Sequence, residues 1–269
     1  MTFAGFAAAA EPNGWTTVST PSPGPPTIVG RTAHGCIGGA AALPVDGVGY
    51  QALRPGRRRN FGHPATVRLV EALGRHAASA GYGLLLVADM GQPRGGPMPS
   101  GHASHQSGLD VDIWFRRTMS PLSPAERAEP LAVDMLRPDG KSVDPQRFGA
   151  AEIALLRFAA SRPETDRVLV NPAIKRALCE RVTGDRRWLR RVRPWWGHSM
   201  HFHVRIACPA GQAMCEDAPP PPPGDGCDKD LLWWFSADAA RALAERLRPR
   251  EPQPPKPLPP ACEGILAAK

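Results

Sequence analysis

The 269-residue chain contains no CxxC pair, which removes zinc ribbons and thioredoxin-type redox sites. No apolar run approaches the roughly 18 residues that a membrane-spanning helix needs, so no transmembrane segment is expected. H-E-x-x-H is missing, and with it the glutamate base of the zincin design. G-x-S-x-G is missing too, so serine acylation has no nucleophile elbow. There is no internal repeat. No DNA- or RNA-binding signature accompanies the arginines, and nucleic acid is not an expected partner.

What is present supports a folded, secreted domain. Hydrophobic residues make up 42%, enough for a sizeable core. The net charge of +8 gathers in RPGRRR (54–59) and DRRWLRRVR (185–193), which read as a solvated arginine surface. Six cysteines are an even set. Cys208 and Cys215 are spaced to close a short loop, and Cys262 lies in a tail, PPKPLPPACEG, where a staple makes better sense than packing. Three disulfides and an oxidising compartment follow, with fifteen pairings left open by spacing. Residues 1–10 look like the remnant of a secretory signal, which makes the expected location periplasmic. Residues 11–263, including the proline-rich C-terminal segment, are expected to form one domain.

Local patterns predict helices and strands without βαβ regularity, hence an α+β fold. Val67, Val70, Leu73 and Ala77 recur at helical spacing over 64–80, with Pro64 suited to a first turn and Gly81 to a stop. LLLVAD (84–89) reads as a buried strand, and a glycine–proline loop, GQPRGGPMPSG, leads to the strand LDVDIWF. Residues 121–148 read as irregular. A helix is expected over 151–162 with Ile153, Leu156 and Ala160 on one face, then a strand over 167–171 and a helix from Pro172. DRRWLRRV is expected to add helix, and a short helix is expected over 239–247. His63 either caps the helix that follows it or contributes to binding.

The chemistry gathers in two places. In HFHVRI, alternation puts His201, His203 and Arg205 on one face and Phe202, Val204 and Ile206 on the other. LDVDI does the same with Asp110 and Asp112. Upstream, His102 and His105 sit three apart in a loop. If the strands are neighbours, imidazoles and carboxylates converge, which is the donor set of a catalytic zinc with three protein ligands and an open position. Asp110 is a candidate to orient a ligand. Trp195 and Trp196 wall the cleft or pack in the core.

With SGHASHQ and GLDVDI, RRNFGHP, VNPAIK, RPWW and HVR-x-x-CP follow or precede in order, and the chain resembles the penicillin-insensitive murein endopeptidases over residues 34–262. The spacing H-x6-D with a distant H-x-H also resembles the wider lysostaphin, D-Ala-D-Ala metallopeptidase and hedgehog superfamily. The resemblance implies a small antiparallel sheet carrying zinc, flanked by helices and long loops. It implies His105, Asp112 and His203 as ligands, His102 as a further ligand in some states, and His201 as the base or transition-state stabiliser. His198 is implied to lie close to the metal. It also implies the disulfides Cys36–Cys262, Cys179–Cys227 and Cys208–Cys215. Ser142 stands in DGKS where close relatives are expected to carry histidine, a departure that takes one donor from any second metal site with Asp139 and leaves that site open. The implied activity is hydrolysis of D-alanyl–meso-diaminopimelyl cross-links in peptidoglycan, and the absence of an acylable serine fits insensitivity to penicillin. The competing reading is a non-catalytic murein-binding protein with a structural zinc; His201 beside the ligands argues for the enzyme.

Overall fold

The computed structural model describes residues 13–99, 102–249 and 256–269. The expected signal remnant, 1–10, lies outside the described residues. The strands are β1 (Thr27–Arg31), β2 (His34–Gly38), β3 (Ala41–Ala42), β4 (Asp46–Gly47), β5 (Tyr50–Ala52), β6 (Phe61–Gly62), β7 (Leu84–Val87), β8 (Asp110–Thr118), β9 (Thr165–Val170), β10 (Val192–Pro194) and β11 (His201–Ile206). The helices are α1 (Gly14–Thr17), α2 (Pro64–Ser79), α3 (Pro124–Ala128), α4 (Ala150–Ser161), α5 (Pro172–Arg181), α6 (Lys229–Trp233), α7 (Ala237–Leu247) and α8 (Ala261–Ala267).

The α+β expectation holds, but the main sheet is larger and less uniform than a small antiparallel one. It has seven strands in the order β10-β9-β11-β8-β7-β5-β4. The centre, β9-β11-β8-β7, is antiparallel, while β10 joins β9 and β5 joins β7 in parallel. Those two joins are made through crossovers, and local alternation carries no trace of them. One face packs Val111, Ile113, Phe115, Phe202 and Val204 against α2 and α4 in the principal core. By the period-2 rule the other face carries Asp112 and Trp114. There Trp114 joins Leu53, Leu86, Ala88 and Leu122 in a smaller cluster.

Most helices start where their caps predict. His63 Nδ1 accepts from the Ala65 amide at 3.1 Å, so His63 caps α2 ahead of Pro64. Asn171 caps α5 in the same way. On α4 the inward face centres on Leu155, Leu156 and Ala159, while Ile153 is only partly buried. DRRWLRRV forms a 3₁₀ turn over Arg187–Arg191 rather than α-helix. The tail is not unstructured at its end: α8 seats Cys262, Ile265 and Leu266 against Trp15, Val29 and Cys36. All three implied disulfides are formed, Cys36–Cys262, Cys179–Cys227 and Cys208–Cys215.

Candidate active site

Strands β8 and β11 lie side by side, with His203 opposite Asp112 and Arg205 opposite Asp110. The apolar residues between them hold this register, since a one-residue slip would turn Phe202 and Val204 out of the core. Asp110 and Asp112 are therefore buried, at 0% and 2% exposure. Arg205 Nε donates to Asp110 Oδ1 at 2.7 Å. His203 lies between the carboxylates, Nδ1 at 2.9 Å from Asp112 Oδ1 and Nε2 at 3.1 Å from Asp110 Oδ1.

The loop before β8 brings the other two histidines. Gly108 turns it with φ of 73°, and an added Cβ there would meet Ile37 Cδ1 at 2.8 Å and the His63 amide nitrogen at 3.0 Å. The Thr66 hydroxyl donates to the Gly108 carbonyl at 2.7 Å, tying the turn to α2. His105 itself has φ of 69°, an unfavourable region for a non-glycine residue, and its amide donates to Asp110 Oδ2 at 3.0 Å. The result is a ring of imidazoles about one oxygen. Asp112 Oδ2 is 3.5 Å from His102 Nδ1, 3.5 Å from His105 Nε2 and 3.6 Å from His201 Nε2.

His198 comes from the loop between β10 and β11. Its φ is 54°, its amide-linked neighbour Gly197 offers a carbonyl to Asn171 Nδ2 at 2.9 Å, and its own carbonyl accepts from the Asn171 amide. The cap of α5 thus also fixes this loop. The His198 ring centre is 4.9 Å from that of His201. These histidines and Asp112 open into a cavity of about 850 Å³, whose other walls include Leu169, Arg193, Trp195, Trp196 and Trp234. Trp195 and Trp196 therefore wall the cleft.

The model of the family described as "Penicillin-insensitive murein endopeptidase" matches residues 28–267. The chain belongs to this family. It is 43% identical to the penicillin-insensitive murein endopeptidase of Klebsiella pneumoniae over 252 residues, covering 94% of this chain and 90% of that protein. Proteins of the same name from Salmonella arizonae and Salmonella newport are 44% identical over the same shares.

In this murein endopeptidase family member, the donor set fits a metal ion. Ligand atoms of His102, His105 and Asp112 all lie within 4.8 Å of one another. The three imidazole nitrogens around Asp112 Oδ2 stand beyond ordinary hydrogen-bond range, at distances an intervening cation would bridge. Nitrogen and carboxylate donors together suit zinc. His203 adjoins this group through Asp112 Oδ1, and Asp110, buried rather than at the surface, lies on its far side. Asp139 lies in an exposed turn, its Oδ1 accepting from the Lys141 amide at 2.9 Å.

The charges are arranged to keep both aspartates ionised. Burial pushes Asp112 up, but the neighbouring His105 and His201 and the hydrogen bond with His203 hold it well below the usual carboxylate range. Asp110 is likewise pushed up by burial and held well down by Arg205 and His203. Burial lowers His203, but the two aspartates outweigh it and raise it to about 9. Burial lowers His201, with Asp112 opposing, and lowers His198 to about 4, helped by His201 and His203.

Two further residues escape the sequence patterns. Asp89, just beyond β7, places Oδ2 3.1 Å from His102 Nε2 and accepts from Arg59 Nη1 at 2.9 Å. A carboxylate can only accept here, so His102 Nε2 is the donor to Asp89. The signal available was an acidic residue closing the apolar run LLLVA, a polar group where the strand should simply end.

Proposed function

We propose that this chain is a zinc-dependent endopeptidase that hydrolyses D-alanyl–meso-diaminopimelyl cross-links in murein, acting in the periplasm. The observation that carries the reading is the ring of His102, His105 and His201 around Asp112 Oδ2, set at the wall of an open cavity. Family membership and the printed names of the relatives support murein as the substrate. The disulfides support an oxidising compartment.

His105, Asp112 and His203 would hold the ion, with His102 as a further donor. When bound, zinc supplies Lewis acidity, which polarises a carbonyl and acidifies water near neutral pH. The chain's own residues do the rest. His201, kept below its ordinary value by burial, is neutral at pH 7 and accepts the proton released as water adds to the scissile carbonyl. It returns that proton to the departing amine as the C–N bond breaks. His198 Nδ1 faces the Trp196 carbonyl at 2.9 Å, which can only accept, so the proton is on Nδ1 and Nε2 is free to accept from a substrate amide. Asp89 and Asp110 hold the rings of His102 and His203 in place. A structural-zinc binder has no use for a neutral, partly exposed His201 facing an open cavity.

The test is a purified cross-linked muropeptide dimer followed by mass spectrometry, with chelator, with zinc restored, and with the His203→Ala and His201→Ala variants. Cleavage to monomers that chelator abolishes, zinc restores and both variants lose is the expected result, with His201→Ala costing about 10²–10⁴ in rate. An intact dimer in the presence of folded, zinc-loaded protein refutes the reading.

A further inference from the structure

The cavity beyond the histidines holds a cation that the mechanism above does not use. Four arginines line it: Arg167, Arg193, Arg205 and Arg246. Arg205 is committed to Asp110, at 2.7 and 3.3 Å. Arg167 donates to Asp166 at 2.6 Å and to the Pro219 carbonyl at 2.7 Å. Arg246 lies over the rings of Trp195 and Trp196, at 5.8 and 6.0 Å. Among the described residues, no hydrogen bond, ion pair or ring contact engages the guanidinium of Arg193. The acids that act on it, Asp228 and Asp230, stand beyond ion-pair distance, and burial with the nearby Arg167 disfavours its charge. A half-buried guanidinium with its donors unspent is costly to keep unless something else takes them.

Strand register gives the sheet face from which Arg193 projects, and its Nη1 lies against Gly226, where a Cβ on Gly226 would meet it at 2.6 Å. Arg193 on β10 is opposite Leu169 on β9, Leu169 is opposite His203 on β11, and His203 is opposite Asp112 on β8. The four residues form one cross-strand row, and members of such a row project from the same face of the sheet. Neighbouring strands are about 4.8 Å apart, so the Arg193 backbone lies about 10 Å from that of His203. Leu169 between them is apolar and gives the row no competing acceptor. Close to Arg193 in the chain, Trp195 and Trp196 stand against Trp234, with ring centres 6.0 and 4.9 Å away, and line this end of the cavity.

We propose that Arg193 is a specificity-determining residue that binds a carboxylate of the substrate peptide, beside the bond to be cut, through the paired donors of its guanidinium. The proposal rests on the murein reading above, because the stem peptides of murein supply such groups. Two are in reach in chemical terms: the carboxyl on the diaminopimelyl centre that carries the scissile amide, and the α-carboxyl of the γ-linked glutamate. A planar fork recognises either in a way that a lysine ammonium does not.

The experiment measures dissociation constants by calorimetry, using three cross-linked dimers: one with all carboxyls free, one amidated at the diaminopimelyl carboxyl, one amidated at the glutamyl carboxyl. Each is titrated into the slow His201→Ala protein and into the same protein carrying Arg193→Gln or Arg193→Lys, with folding checked by thermal melts. The free dimer is expected to bind at least about tenfold more weakly to the Arg193→Gln protein. One of the two amidated dimers is expected to bind weakly to the parent and to show no further loss on Arg193→Gln; that dimer names the carboxyl. Arg193→Lys is expected to recover only part of the affinity. Equal losses on all three dimers, no loss on any, or no binding of the free dimer to the parent would each overturn the proposal. Cleavage by the unmodified protein, run in parallel, separates the two readings. Turnover without Arg193-dependent affinity rejects the carboxylate subsite alone; Arg193-dependent affinity without turnover keeps the subsite and rejects the endopeptidase.

Discussion

Asp89 shows how much of the site depends on a single residue outside any pattern. It touches no candidate substrate position, yet its carboxylate accepts from His102 Nε2 and neutralises Arg59. Burial raises its pKa, and His102 and Arg59 together bring it below the usual range, so it is ionised at working pH. Asp89→Asn keeps the shape but gives His102 a neutral partner that can also donate. The expected outcome is a loss of about 10–100-fold in zinc affinity or turnover, as for other groups that orient metal ligands. Zinc titration with a competing chelator reads the first and dimer cleavage the second; an unchanged value of both removes Asp89 from the site. The histidines and aspartates of β8 and β11 were legible because alternation marks them. Asp89, Arg59 and Arg193 were not, because Asp89 and Arg59 lie in loops and Arg193 in a three-residue strand too short to show a period, and the positive φ of His105 and His198 leaves no mark on residue type.

Two neighbouring strands do the positioning, and their joint is ionic as well as apolar. Arg205 and Asp110 face each other across β11 and β8, with Asp110 fully buried. Replacing Arg205 by Met removes the guanidinium that faces the buried Asp110. Breaking one half of a buried pair costs about 3–5 kcal/mol, whereas removing both halves together is often close to neutral. Arg205→Met is therefore expected to lower the denaturation midpoint sharply, and Asp110→Asn with Arg205→Met to recover most of it. A double variant as unstable as the single one would show that packing, rather than charge pairing, holds this joint. Elements with a strong local signal, α2, β8 and β11, follow their predicted limits closely. The parallel partners β5 and β10, at three residues each, are too short to show a period. The helix α8 was hidden by the prolines before it, and its reason for existing is a contact with Trp15 and Val29 more than 200 residues away in the chain.

At the scale of the whole chain, distant staples and one buried amine govern stability. Cys36 and Cys262 are 226 residues apart, while Cys208 and Cys215 are separated by 7. The loop-entropy model gives about 5 kcal/mol for the first closure and about 2 kcal/mol for the second. Replacing the Cys36–Cys262 pair by serines should thus destabilise the protein more than replacing Cys208–Cys215, as read by urea denaturation; the reverse order would mean that α8 contributes nothing beyond its bridge. Near the Cys179–Cys227 disulfide, Lys175 is fully buried and its Nζ donates to the carbonyls of Leu189 at 2.8 Å and Asp225 at 2.6 Å. Burial first, then Arg193, lowers it to about 7, with Asp225 opposing. A folded-state value below the unfolded one of about 10.4 means that, between about pH 7 and 10, the unfolded chain binds a proton that the folded chain does not. Unfolding then takes up a proton, so stability on this account rises with pH through that window. Below pH 7 both states are protonated and the full cost is present, bounded by about 5 kcal/mol. Denaturation of the unmodified protein and of Lys175→Met at pH 7 and pH 9.5 isolates this contribution from other titrations. The expected result is that the unmodified protein gains stability relative to the variant at the higher pH. A difference that stays constant would mean that the two carbonyls hold Lys175 charged throughout, and that its role is to clamp the 222–228 loop as a cation.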